Sequence, residues 1–231
     1  MDPIQFTSLY QRFDAPIGVM NCGERCAPYN ERGVPFCCDT RHAVPSAYAV
    51  EWQYLQANTT LWHEYGSGDV KHLAKLRREL PNDQVLIECL GHRFCQRDYR
   101  SIVCRSFPFF PYITRQGEFI GFSYYWEYEE RCWVINNLSK VSLEFRVQFI
   151  NAYEEIFQFY PEELENFRGF STYMRRVFGH RRQAIPLYHR NGSFYKITPR
   201  NGRMRRTRVE NLPTYGPYRI AAELPFPDER I

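Results

Sequence analysis

The chain has 231 residues, of which 44% are hydrophobic, 17% aromatic and 24% charged. It is long enough to bury a core without disulfides and too aromatic for a disordered segment. No stretch approaches the roughly 20 apolar residues that cross a bilayer, and the opening Met1-Asp2-Pro3-Ile4-Gln5-Phe6 lacks the basic and apolar regions of a secretory leader. The expectation is a cytoplasmic protein with no membrane partner.

The first cysteines, Cys22, Cys26, Cys37 and Cys38, precede two predicted helices, roughly Pro45 to Tyr65 and Asp69 to Leu80. The second opens on an Asp cap and stops before Pro81. Together these helices would bring the outer cysteine groups together. After Cys89, Cys95 and Cys104, the stretch Arg105 to Tyr128 is rich in Phe, Tyr and Ile and is interrupted by Arg115-Gln116-Gly117, the pattern of a β-hairpin. Cys132 follows it and is the last cysteine in the chain.

Two amphipathic helices are expected next, Val141 to Phe157 and Pro161 to Phe178. The second has Pro161 in its first turn and Glu162 and Glu163 at its positive dipole end. From Ile185 to Val209 the pattern alternates around Asn191-Gly192 and Asn201-Gly202, strong hairpin signals that predict a small three-stranded meander. The Pro-rich end from Leu212 to Ile231 has no clear period and should wrap over the surface.

The expected fold is therefore α+β: a cysteine-knitted helical metal-binding part with an aromatic hairpin, two amphipathic helices and a basic β-meander. The expected boundary separates a cysteine-cluster domain, 1–138, from a helical hairpin, meander and tail, 139–231. The net charge of +4 conceals a strong polarity. Residues 1–165 carry 16 basic and 22 acidic groups, 166–209 carry 12 and none, and the remainder carries 2 and 4. The Arg-rich segment 168–208 is thus a candidate surface for nucleic acid or an acidic protein, against the plainer reading of a solvated face.

All eight cysteines fall within the first 132 residues. Cysteines used only as small core hydrophobes would be scattered, so their segregation points to a shared local task. Cys22-x3-Cys26 and Cys89-x5-Cys95 are plausible converging pairs, but neither has the spacing of a zinc ribbon or a bacterial ferredoxin, so spacing alone leaves the metal open. In extended chain the Cys37 and Cys38 side chains would diverge, and only a bent loop would let both reach one metal. His92, inside Cys89-x2-His92-x2-Cys95, is a further candidate ligand beside its ordinary structural reading.

Phe36-Cys37-Cys38, Val44-Pro45-Ser46-Ala47-Tyr48, and the block from Cys95 through Tyr99, Arg100, Cys104, Arg105, Phe107, Pro108 and Phe109 carry a resemblance. They resemble the zinc- or iron-chelating cysteine-cluster family called YkgJ-like, over roughly residues 22 to 132. The family's cysteine run before the pair is stretched here, and Ser101-Ile102 replaces its usual Pro. The resemblance implies metal chelation, with ligands among Cys22, Cys26, Cys37, Cys38, Cys89, Cys95, Cys104 and Cys132. It also implies an iron–sulfur cluster of the 4Fe-4S type, as in the distantly similar flagellin lysine methylases, with zinc as the alternative.

Arg105 follows a candidate ligand, and its guanidinium is expected to balance the negative charge of a thiolate-bound cluster. Beside the metal-cluster reading, with structural, electron-transfer or unassigned catalytic use, stand two others. One is a zinc-stabilised interaction module acting through the Arg-rich segment. The other is a protein-modifying enzyme related to the lysine methylases, although a methyl-donor fold would show a Gly-rich strand-to-helix turn and Gly66-Ser67-Gly68 is a poor match. A disulfide framework suits smaller secreted chains.

Overall fold

The structure is a computed structural model that describes residues 1–66 and 69–221. Its first element, α1 (Pro3–Arg12), is nucleated by a capping box: Gln5 N donates to the Asp2 carboxylate, Asp2 N donates to the Gln5 side chain, and Pro3 occupies the first turn. Phe6, Leu9, Tyr10 and Phe13 form one buried stripe at helical spacing. That stripe packs α1 against two later helices, Ala49–Asn58 and Leu143–Phe159.

The short α2 (Cys22–Cys26) continues into 3-10 turns at Ala27–Tyr29 and Phe36–Cys38. The single helix expected over Pro45 to Tyr65 is instead β1 (Ser46–Tyr48), α3 (Ala49–Asn58) and β2 (Trp62–Glu64). Both flanks are drawn into strands because they pair antiparallel with the two halves of β3 (Gln84–Cys89), in the order β1-β3-β2. The β-branched pair Thr59-Thr60 ends the helix, with Thr59 extended. Between β2 and β3 lies α4 (Val70–Glu79), where Asp69 accepts from Lys71 N and His72 N as expected. Gly66-Ser67-Gly68 lies partly outside the described residues.

The 3-10 turns at His92–Phe94 and Arg97–Tyr99 lead to α5 (Ile102–Ser106), capped by Ser101. The aromatic hairpin forms as expected from β4 (Phe109–Ile113) and β5 (Phe119–Tyr124). Then come α6 (Trp133–Asn136), α7 (Leu143–Phe159) and α8 (Pro161–His180). The expected meander is β6 (Ile185–His189), β7 (Phe194–Ile197) and β8 (Met204–Arg206), followed by α9 (Tyr218–Ala221). The expectation for the tail beyond residue 221 lies outside the described residues.

Hairpin and meander are one antiparallel sheet, β4-β5-β6-β7-β8, in which β5 and β6 pair at Gly121–His189 and Phe122–Tyr188. The expected boundary at 138/139 therefore runs between strands of a continuous sheet. Gly121, at φ +152°, is required there, because a Cβ would strike the Tyr188 carbonyl. Phe109, Phe122, Phe145, Phe149 and Tyr188 pack ring against ring between this sheet and α7, and α8 covers β4.

Candidate metal centre

All eight cysteines are described, and all are free thiols. Cys22 and Cys26 stand at the two ends of α2, four residues apart and hence on one helical face. Cys26 and Cys132 are buried, and Cys132 immediately precedes α6, against which α2 packs. At Phe36–Cys38 the chain is bent into a 3-10 turn, and the two adjacent sulfurs lie 4.0 Å apart.

This bend is held from behind by Asp39. Its buried carboxylate accepts from Arg41 Nη2 at 2.9 Å, Arg41 N at 3.1 Å and Asn30 Nδ2 at 3.2 Å. Those bonds, with Arg41 foremost, hold the Asp39 carboxyl well below the usual carboxylate range. Tyr128 Oη also donates to the carbonyl of His42.

The other three cysteines come from the small sheet and the turns after it. Cys89 ends β3 opposite Trp62, Cys95 follows the turn at His92–Phe94, and Cys104 lies in α5, its N–H donating to Ser101 Oγ at 3.3 Å. His92 contributes its carbonyl to this turn, accepting from Cys95 N at 3.3 Å.

Beneath α5 sits Glu51, fully buried, which accepts from Ile102 N at 2.7 Å, Tyr10 Oη at 2.5 Å and Tyr48 N at 3.2 Å. Burial pushes its carboxyl up to about 7 despite those bonds. Glu51 and Asp39 thus fix the segments that carry Cys104 and the Cys37-Cys38 pair. Neither was visible in the sequence as a site residue.

Burial also raises most of the thiols: Cys26 to about 11, Cys104 to about 12, and Cys22, Cys89 and Cys132 upward as well. Cys38 moves the other way. Its contact with the Cys37 thiol and the charge of Arg100 let Cys38 give up its proton more readily, while Cys37 is raised by the same contact and by burial.

Two arginines flank the thiols, with different roles. Arg100 Nε donates to Cys95 Sγ at 3.1 Å, making it the guanidinium that bonds a candidate ligand. Arg105 is only 9% exposed, and its donors go to main-chain carbonyls: Arg100 at 2.9 Å, Asp98 at 2.6 Å, Tyr10 at 3.2 Å and Phe13. Its guanidinium also lies 4.2 Å over the Tyr10 ring. Arg105 ties α1, the 98–100 turn and α5 together. The specific sequence block identified the neighbourhood, while the direction of each arginine depended on packing.

As the side chains stand, no three His, Cys, Asp or Glu groups among the described residues are arranged to hold a metal ion. The donor chemistry nevertheless suits a soft metal: thiols in excess, largely shielded from water, with a guanidinium at hand to balance thiolate charge.

The Arg-rich segment is divided by the fold. Arg175 is buried and donates to Ile113 O at 2.9 Å and Thr172 Oγ1 at 2.6 Å, while Arg181 pairs with Glu129 at 2.6 Å and Arg190 pairs with Glu154. Tyr188 and Phe194 are core residues. Arg176, Arg182 and Arg200 are exposed, and so is the edge strand β8 at Met204, Arg205 and Arg206, with Arg203 and Arg208 beside it.

None of the described helices is long and apolar enough to cross a membrane. Comparison of the chain with protein-family models, with curated proteins and with solved structures finds no match.

Proposed function

We propose that the chain binds a metal centre through its cysteines, an iron–sulfur cluster in the first instance, serving structure, electron transfer or a reaction not yet assigned. One observation carries the reading. Thiols from separate segments, α2, the Phe36–Cys38 turn, the end of β3, the turn before Arg97, α5 and the residue preceding α6, lie within reach of one another's charge.

A fold that needed cysteines only as small apolar fillers would have no reason to let their thiols influence one another's charge, nor to set a guanidinium on one sulfur. Bound there, a cluster would supply a one-electron redox couple or a rigid cross-link between segments distant in sequence. This chain's own residues hold the thiols: Asp39 and Tyr128 fix the bent pair, Glu51 and Ser101 fix α5, and Arg100 lowers the cost of thiolate charge near Cys95.

The test is the visible absorption of the full chain purified without oxygen. A brown protein that is bleached by a chelator supports the cluster, and a colourless one with stoichiometric zinc moves the assignment to zinc. A colourless protein without metal overturns the proposal.

A second reading has its own observation, the exposed β8 edge with its arginines. Charged residues protect an edge strand from pairing with other chains, and the same charges suit an acidic protein or a nucleic-acid backbone. This surface is compatible with a bound metal centre and does not compete with it.

A further inference from the structure

The fold uses only part of the acid-free stretch between Glu165 and Glu210. Arg168, Arg175, Arg181 and Arg190 have carboxylate or carbonyl partners. By contrast, Arg200, Arg203, Arg205, Arg206 and Arg208 are exposed, and none of them pairs with a carboxylate among the described residues. Uncompensated charge of one sign along a sheet edge suits a polyanion.

The register of the meander decides which side chains share a face with these arginines. Tyr195 of β7 stands opposite Arg206 of β8 and opposite Leu187 of β6, so the three side chains lie on one face. His189, two residues after Leu187, joins them. Tyr112 of β4 is on the same face, across Gly121 from His189, and Arg175 of α8 lies over its ring. On this face α8 covers β4 and β6 and leaves β8 exposed, with His189 and Tyr195 half-buried beside it.

The His189 and Tyr195 rings are 5.2 Å apart, and the Asn191-Gly192 turn fixes both. Asn191 N donates to His189 Nδ1 at 3.1 Å, and Asn191 Nδ2 donates to Tyr195 Oη at 3.0 Å. With Nδ1 accepting, the neutral imidazole carries its proton on Nε2, which has no partner among the described residues. Arg115, reaching across from the turn between β4 and β5, donates to the carbonyls of Pro199 and Arg200 at 3.0 and 2.8 Å and steadies the turn that leads into β8. Tyr188 and Phe194 belong to the core, so Tyr195 is the aromatic ring of the meander that remains partly open.

Resting on the second reading above, we propose that this face binds single-stranded nucleic acid. A base stacks against Tyr195 and His189, the adjoining phosphate meets Arg206, and Arg203 and Arg208, flanking β8, contact phosphates on either side. An acidic protein supplies carboxylates for the arginines and nothing for the rings, and a duplex keeps its bases stacked on one another. Unpaired guanidinium groups beside a fixed pair of rings therefore favour a strand whose bases are free.

The test is binding of the full chain, purified without oxygen, to an oligothymidylate of about 12 nucleotides, to the same strand without bases, to a duplex and to polyglutamate, each at several salt concentrations. The oligothymidylate binds most tightly, about tenfold above the abasic strand. Tyr195→Leu abolishes that difference. Arg206→Gln weakens both strands and lowers the slope of log affinity against log salt by about 0.7.

Equal binding of the two strands by the wild type overturns the stacking site and leaves backbone contact standing. Polyglutamate or duplex bound more tightly than the oligothymidylate overturns the choice of partner. A folded Tyr195→Leu that keeps the preference for bases overturns the place of the site. No binding of any probe at low salt overturns this proposal and the second reading together. Because the wild-type comparison of the two strands decides by itself, misfolding of a variant does not shelter the proposal.

Discussion

Glu51 shows how one buried side chain couples the stability of this fold to pH. Its folded carboxyl titrates at about 7 against an ordinary 4.5. Between those values the unfolded chain releases a proton that the folded chain keeps, so stability falls as pH rises through the window, by about 3 kcal/mol from this group. Glu51→Gln, which cannot ionise, should flatten the stability profile between pH 4.5 and 7, as read from urea midpoints. An unchanged slope would contradict the role given to Glu51.

Arg105 is the second decisive residue, since its guanidinium satisfies carbonyls from two other segments at once, α1 and the 98–100 turn. Arg105→Ala leaves those acceptors buried and unpaired and should cost about 3 kcal/mol or more. A loss below about 0.5 kcal/mol, the range of ordinary surface substitutions, would show that the clamp is dispensable.

Among the elements, those with strong local signals were legible in the sequence. Asp69 announces α4, Pro161 with its acidic neighbours announces α8, and the two Asn-Gly pairs announce the strands of the meander. The strands β1 and β2 were hidden because each is three residues long and exists through its pairing with β3, a long-range fact with no local periodicity. The helix α1 was missed even though Asp2-Pro3 with Gln5 is a capping box.

The joining of hairpin and meander into one sheet was equally hidden, yet a single glycine marks it. At Gly121 the backbone of β5 lies against the Tyr188 carbonyl of β6. Gly121→Ala should destabilise the protein by about 2 kcal/mol or more, because φ is positive and the added methyl strikes main chain. Thermal unfolding checks this, and an unshifted midpoint would contradict the close β5–β6 approach.

At the scale of the whole molecule, charge and cysteine are segregated, but the fold treats the two differently. The cysteines, all within the first 132 residues of the sequence, sit on separate segments of the fold, and their thiols act electrostatically on one another. The arginines, close together in sequence, are dispersed: Arg175 is buried, Arg181 and Arg190 pair with glutamates, and Arg176, Arg182, Arg200 and the β8 group face outward.

If the β8 edge contacts a nucleic-acid backbone, affinity for a mixed RNA and DNA pool should fall linearly with salt on logarithmic axes. Neutralising Arg203, Arg205 and Arg206 should then reduce the slope. Absence of binding at low salt would leave edge protection or an acidic protein partner as the use of that charge.

Metal binding by the thiols is decided by quantitative iron, zinc and acid-labile sulfide analysis of the unmutated full chain, purified without oxygen. The expected result is bound metal, with sulfide in proportion to iron where the metal is iron. Protein that is folded, free of all three, and fully reactive toward a thiol reagent at its cysteines would contradict it.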